Sequence, residues 1–207
     1  MIDKALLLLQ GELVSYLSSK KDDAVTVVID NVGLFETSDG ASLTDNIIIT
    51  LVNIEEESAL KNQSTLRRSP PNNVVYENTP VFLNLYVLIT CNYSGEKYVL
   101  ALRRLSLVIQ FLQSKTSFSY TSSAAAASLS DSADPPETDL LSLKFTLELY
   151  TLTFEQINHL WGSLGGRQMP FAMYKLRLVA ITERLPVRIA PVIEEVDITL
   201  LKISDPS

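Results

Sequence analysis

With 207 residues, 46% of them hydrophobic, and a formal net charge of −7, the chain can build one sizeable core and lacks the composition of a disordered protein. No apolar run approaches the ~18–20 residues of a membrane span, and 17 Lys and Arg against 24 Asp and Glu leave no basic cluster to displace counterions from nucleic acid. One cysteine, Cys91, excludes an internal disulfide, and with a single histidine, His159, it cannot supply the ligands of a structural zinc site.

The start, "MIDKALLLLQGEL", carries Asp3 and no small-residue cleavage site, which makes it a poor signal peptide and points to folding in the cytoplasm. Leu6, Leu9, Leu13 and Leu17, with Val14 beside them, form one apolar stripe and predict the first helix. "AVTVVID" reads as a short strand, and "NIIITLVNIE" is β-branched and long enough for a central one. "EEESALKNQSTLRRSPPNNVVYENTP" is polar and proline-containing and is expected to be a long excursion.

"VFLNLYVLITCNY" is the strongest strand. Val81, Leu83, Leu85, Val87 and Ile89 share one face, Phe82, Asn84, Tyr86 and Leu88 the other, so both faces should be covered. Cys91 in this run is expected to be a buried, inert thiol. "GEKYVLALRRLSLVIQFLQ" predicts the second helix on the stripe Val99, Leu102, Leu105, Ile109 and Leu112, with Arg103 and Arg104 off it. The Ser/Ala/Asp/Pro segment after it buries too little to offset its ordering entropy and is expected to be a mobile loop at 119–139. "LLSLKFTLELY" alternates, with Leu141, Leu143, Phe145, Leu147 and Leu149 inward and Lys144, Thr146 and Glu148 outward.

In "TFEQINHLWGSLGGRQMPFAMYKLRLV", Thr153 and Gln156 form a capping box. Ile157, Leu160, Trp161 and Leu164, joined by Phe154, make a buried stripe with Trp161 as core anchor. His159 falls on the opposite face, Gly165 and Gly166 supply the left-handed stop, and a strand follows Pro170. In the tail, "VDITLLKI" reads as a last strand, and Val196, Ile198 and Leu200 alternate along it. The expectation is an α+β fold: a single mixed or antiparallel sheet flanked by about three helices, one domain over 1–184, and a tail at 185–207.

No phosphate-binding, dinucleotide, zinc-protease or nucleophile-elbow motif occurs, so no catalytic, metal or cofactor residue is assigned. Charge is uneven instead. Residues 1–66 hold 11 acidic and 4 basic side chains, net −7, and residues 67–207 hold 13 of each. Such asymmetry suits head-to-tail contacts between copies, or simply an acidic solvated edge. The acidic run Glu55, Glu56 and Glu57 and the basic pairs Arg67, Arg68 and Arg103, Arg104 are the candidate interface charges. Val196, Ile198 and Leu200 are candidates for pairing with a neighbouring chain.

"TLVNIEEESALKNQ", "TPVFLNLYVLIT", "LRRLSLVIQFLQ" and "LTFEQINHLWGSLGGRQMPFAMYKLRLVAI" together resemble the cap proteins of extracellular contractile injection systems. These are counterparts of phage tail terminators. The resemblance runs from the first helix to about Thr182, and the "NHLWGSLGG" block is its most specific part. It implies a terminator-like subunit that forms a six-membered ring and closes the distal end of an inner tube. It also implies contact with the last sheath ring, with no cofactor, nucleic acid or membrane insertion. Another structural adaptor of such a particle, a baseplate or connector component, would share the oligomerising α/β pattern, and an enzyme would need a pocket around His159.

Overall fold

The computed structural model describes residues 1–20, 25–34, 43–60, 66–69, 73–76, 78–93, 95–123, 125–126, 140–181 and 188–191. In chain order the elements are α1 (Ile2–Ser19), β1 (Thr26–Ile29), β2 (Asn46–Glu56), β3 (Leu66–Ser69), β4 (Asn73–Tyr76), β5 (Val81–Asn92) and α2 (Tyr98–Ser114). There follow β6 (Ser117–Ser119), β7 (Lys144–Leu149), α3 (Phe154–Ser163), β8 (Phe171–Ile181) and β9 (Arg188–Pro191). The expected α+β class, with three helices on one large mixed sheet, is what the chain adopts. Its strand order is β1-β2-β5-β8-β7-β6, with only β1 and β2 parallel.

Both faces of this sheet are covered, as the two apolar faces of β5 require. On one side Leu85, Val87, Ile89 and Cys91 pack with Leu6, Leu9, Leu13 and Leu17 of α1 and with Ala101, Val108 and Phe111 of α2. On the other, Leu88 and Ile48 pack with Trp161 of α3 and with Val32 and Leu43 from the segments before β2. Two bulges, one with its extra residue at Val52 of β2 and one with its extra residue at position 178 of β8, opposite Leu83 and Asn84, shift the register beyond mid-sheet. A bulge adds a residue to one strand and so reverses which face later side chains take.

Several expectations need correcting. The buried face of α2 is Ala101, Arg104, Val108, Phe111 and Leu112, while Val99, Leu102 and Ile109 are exposed. Alanine at the contact lets the helix approach β5, with Val108, Phe111 and Leu112 filling the rest of the buried face. Phe154 is not part of the α3 stripe, being 87% exposed; Trp161 is buried, and Ile157, Leu160 and Leu164 are half-buried. Val14, Leu141 and Leu149 also face out, the last two because they sit at the ends of the alternating run. The stretch expected to be a bare excursion contains β3 and β4, which join β9 in a second, three-stranded sheet.

Part of the segment expected to be mobile is anchored. Tyr120 is buried, and Ala125 and Ala126 pack on the α1–α2 core. Ser123 donates to the Glu12 carboxylate, which also takes a 2.7 Å ion pair from Lys115. Residues 127–139, and the tail strand with Val196, Ile198 and Leu200, lie outside the described residues.

Candidate functional site

The acidic run leaves the sheet at the end of β2, and strand alternation sorts its members. Glu55 accepts a 2.6 Å hydrogen bond from the Tyr86 hydroxyl and lies 3.5 Å from the Lys175 ammonium. Glu57 accepts a 3.0 Å bond from Asn84 Nδ2 and lies 3.5 Å from Arg177. Glu56, between them, takes the opposite face and is exposed. The hydrogen bond from Tyr86, then the charge of Lys175, hold the Glu55 carboxyl below its ordinary value. The hydrogen bond from Asn84 does the same for Glu57, with Arg177 adding to it. The Tyr86 hydroxyl is pushed up chiefly by its bond to Glu55.

The sequence reading missed these partners, though a signal was present. Lys175 and Arg177 stand two apart in "YKLRL", the same period-2 spacing as Glu55 and Glu57, so each pair presents both charges on one strand face. Beside them Tyr86 and Tyr150 meet edge-on at 5.1 Å and, with Leu152, Leu160 and Met173, line a cleft of about 310 Å3. Asn53, Gln156 and Glu55 complete a mixed lining, in which the Glu55 carboxylate is engaged by Tyr86 and Lys175.

The basic candidates fall in different places. Arg103 is exposed on α2. Arg104 is buried, donates to the Tyr93 hydroxyl at 2.5 Å and stacks its guanidinium 4.8 Å from that ring. Arg67 and Arg68 lie on β3, in register with Val75 and Val74. The cations that meet Glu55 and Glu57 are instead Lys175 and Arg177. Burial pushes the Cys91 thiol up to about 12, partly offset by Arg104, so it is the inert thiol expected.

Trp161 is the core anchor the stripe predicted, meeting Phe171 edge-on at 5.4 Å. The Thr153–Gln156 capping box forms in both directions, and Gly165 and Gly166 take φ of +100° and +80° to end α3. His159 is exposed, 3.8 Å from the equally exposed Glu155 carboxylate one turn before it on the same helix. Among the described residues no group of three or more His, Cys, Asp or Glu could hold a metal ion, and no helix is long and apolar enough to cross a membrane.

A further hollow, of mixed lining, has no counterpart in the sequence reading. Tyr98 and Leu102 of α2, together with Leu105, Met169, Pro170 and Phe171, border an open hollow of about 510 Å3.

Comparison with known proteins adds a family and a fold. The family model described as the Pvc16 N-terminal domain matches residues 6–195. Among solved structures, the chain is similar to the sheath/tube terminator of an extracellular contractile injection system, PVC, in its extended state. That likeness has a TM-score of 0.61 at 14% identity, covering 97% of this chain and 64% of the other. It is also similar to the tube-terminating cap of the anti-feeding prophage, with a TM-score of 0.63 at 15% identity, covering 96% and 60%. The chain thus spans less than two thirds of the length of either structure. No curated protein sequence matches it.

Proposed function

The chain belongs to the family of the Pvc16 N-terminal domain, and on that premise we propose that it is the tube-terminating cap of a phage-tail-like contractile injection particle. The observation that carries this reading is the family match over residues 6–195, with the shared fold of a terminator and a cap beside it. The role is structural. A cap binds the last ring of the inner tube, stops its growth at a set length and holds that end to the last sheath ring. Sheath contraction then drives the tube forward instead of sliding past it.

In this reading the subunit works as a symmetric ring, six copies around the tube, with unlike faces of neighbouring copies in contact. The uneven charge supports such contacts. The acidic run Glu55, Glu56 and Glu57 of one copy would meet the basic candidates Arg67, Arg68 and exposed Arg103 of the next. The tail around Val196, Ile198 and Leu200 serves as the strand that reaches a sheath subunit or an adjacent copy. The protein assembles in the cytoplasm and becomes part of the particle.

Light scattering on the purified protein, alone and with tube protein, tests this directly. A ring-sized multiple of 23.0 kDa, alone or with tube, together with tubes of uniform length by electron microscopy, is the expected result. A strict monomer that leaves tube growth unlimited overturns the cap reading in favour of another adaptor of the particle.

A further inference from the structure

The two faces of the large sheet are not held alike. α1 and α2 come close to each other and to β1, β5 and β8, and their side buries a continuous apolar layer. Among the described residues, α3 approaches no strand as closely. Trp161 is its only buried side chain, with Ile157, Leu160 and Leu164 half-buried beside it.

Hydrogen bonding makes the same division. The strand ladder stops where the Tyr150 N–H donates to the Met173 carbonyl at 2.8 Å and resumes where the Cys91 N–H donates to the Pro170 carbonyl at 3.0 Å. Between these points, among the described residues, the hydrogen bonds of residues 151–166 all close within that segment. They are the Thr153–Gln156 cap, the helix itself, Ser163 onto the Leu160 carbonyl and Gly166 onto the Trp161 carbonyl. The contact of His159 with Glu155 is internal as well. Apolar packing therefore fixes this segment to the sheet.

That packing is interrupted by polar atoms. Among the described residues, three buried side-chain atoms have no hydrogen-bond partner: Asn84 Oδ1, Thr90 Oγ1 and Trp161 Nε1. Asn84 and Thr90 share with Leu88 the face of β5 that α3 covers. Thr90 stands in register between Ile48 and Phe171, the ring that Trp161 meets edge-on at 5.4 Å. A buried group without a partner raises the free energy of the closed state, and opening returns it to water. The bed under Trp161 also includes Met169 and Met173, whose unbranched side chains repack readily. Thr151 and Leu152, outside any helix or strand, and the left-handed pair Gly165 and Gly166 supply a hinge at each end.

We propose that residues 151–166, α3 with its flanking turns, form a hinged flap that opens from the sheet as one unit while the rest of the fold stays closed. Opening carries the exposed Phe154 with it and uncovers Leu88, Thr90 and Met173, so the chain presents a second apolar surface only in the open state. The flap does not depend on the cap reading, since its hinges and its bed belong to this chain alone.

The test is native-state hydrogen exchange by NMR on the full chain, with urea raised in steps below the unfolding transition. The Ile157–Leu164 amides and the Trp161 indole N–H should exchange together through one opening, about a hundredfold or more faster than the Val87 and Ile89 amides of β5. Thr90→Val keeps the side-chain shape and removes one of the unpartnered atoms, so it should slow α3 exchange about fivefold or more. Fraying from the helix ends does not uncover Thr90 and would leave those rates unchanged. Three results overturn the proposal: α3 amides as well protected as those of β5, α3 amides exchanging one by one inward from the helix ends, or α3 rates that Thr90→Val does not slow.

Discussion

The Arg104 guanidinium, buried under α2, donates a 2.5 Å hydrogen bond to the Tyr93 hydroxyl and lies over the same ring at 4.8 Å. A buried charge persists only when its hydrogen bonds are met, so this contact joins the inner face of α2 to the end of β5 through a polar group inside an apolar layer.

Replacing Arg104 with Met keeps the apolar stem but removes the guanidinium that donates to the Tyr93 hydroxyl. The expected loss is about 1.5–3 kcal/mol, the range for hydrogen bonds to charged groups. Tyr93→Phe should cost less than Arg104→Met, because it keeps the guanidinium stacked on the ring and removes only the hydroxyl. Urea unfolding of both variants and of the double variant measures the coupling.

Glu12 makes the attachment of residues 120–126 sensitive to acid. Burial pushes its carboxyl up, but hydrogen bonds from Lys115 and Ser123 outweigh this and hold it below its ordinary value of 4.5. A carboxyl with a depressed folded pKa contributes stability that is present above its unfolded value and is lost as pH falls through the folded one. The wild-type Tm should therefore fall below about pH 4.5, and Glu12→Gln, less stable at neutral pH, should fall less steeply.

Gly11 allows the segment to reach α1 at all. A Cβ added there would meet Ala125 Cβ at 2.5 Å, closer than real contacts allow. Alanine gains about 1 kcal/mol of helix propensity over glycine, yet an overpacked contact costs about 1–3 kcal/mol. Gly11→Ala should thus be neutral to destabilising alone, whereas Gly11→Ala with Ala125→Gly should exceed the single variant in thermal melts. Equal stability of single and double variants would contradict the packing.

Trp161 and Phe154 lie on one short helix and should behave oppositely. Trp161→Ala opens a cavity beside Phe171 and should cost about 3–5 kcal/mol. Phe154→Ser should change the stability of the isolated chain by no more than about 0.5 kcal/mol. Calorimetry of the two variants distinguishes them.

Cys91 should resist alkylation in the folded protein at pH 8 and react once the chain is unfolded in guanidinium, since burial raises its thiol to about 12. Mass spectrometry after iodoacetamide treatment reads this directly.

The elements and their local signals were legible wherever one pattern had no competitor. The Leu6–Leu9–Leu13–Leu17 stripe, the two-faced β5, the Thr153 capping box and the glycine stop at Gly165 and Gly166 each follow from short-range geometry written in adjacent residues. The family resemblance was also carried by such local blocks. α2 was different, because apolar residues surround it and more than one stripe fits a helical period. Tertiary packing decided between them, burying Ala101 and Arg104 against β5 and Tyr93 and leaving Val99 and Leu102 outside. The register shifts at Leu51–Asn53 and opposite Leu83–Asn84 and the pairing of Glu55 and Glu57 with Lys175 and Arg177 were likewise invisible in the sequence. Each depends on strand register and strand order, which join residues up to 120 positions apart and leave no periodic trace in either partner alone.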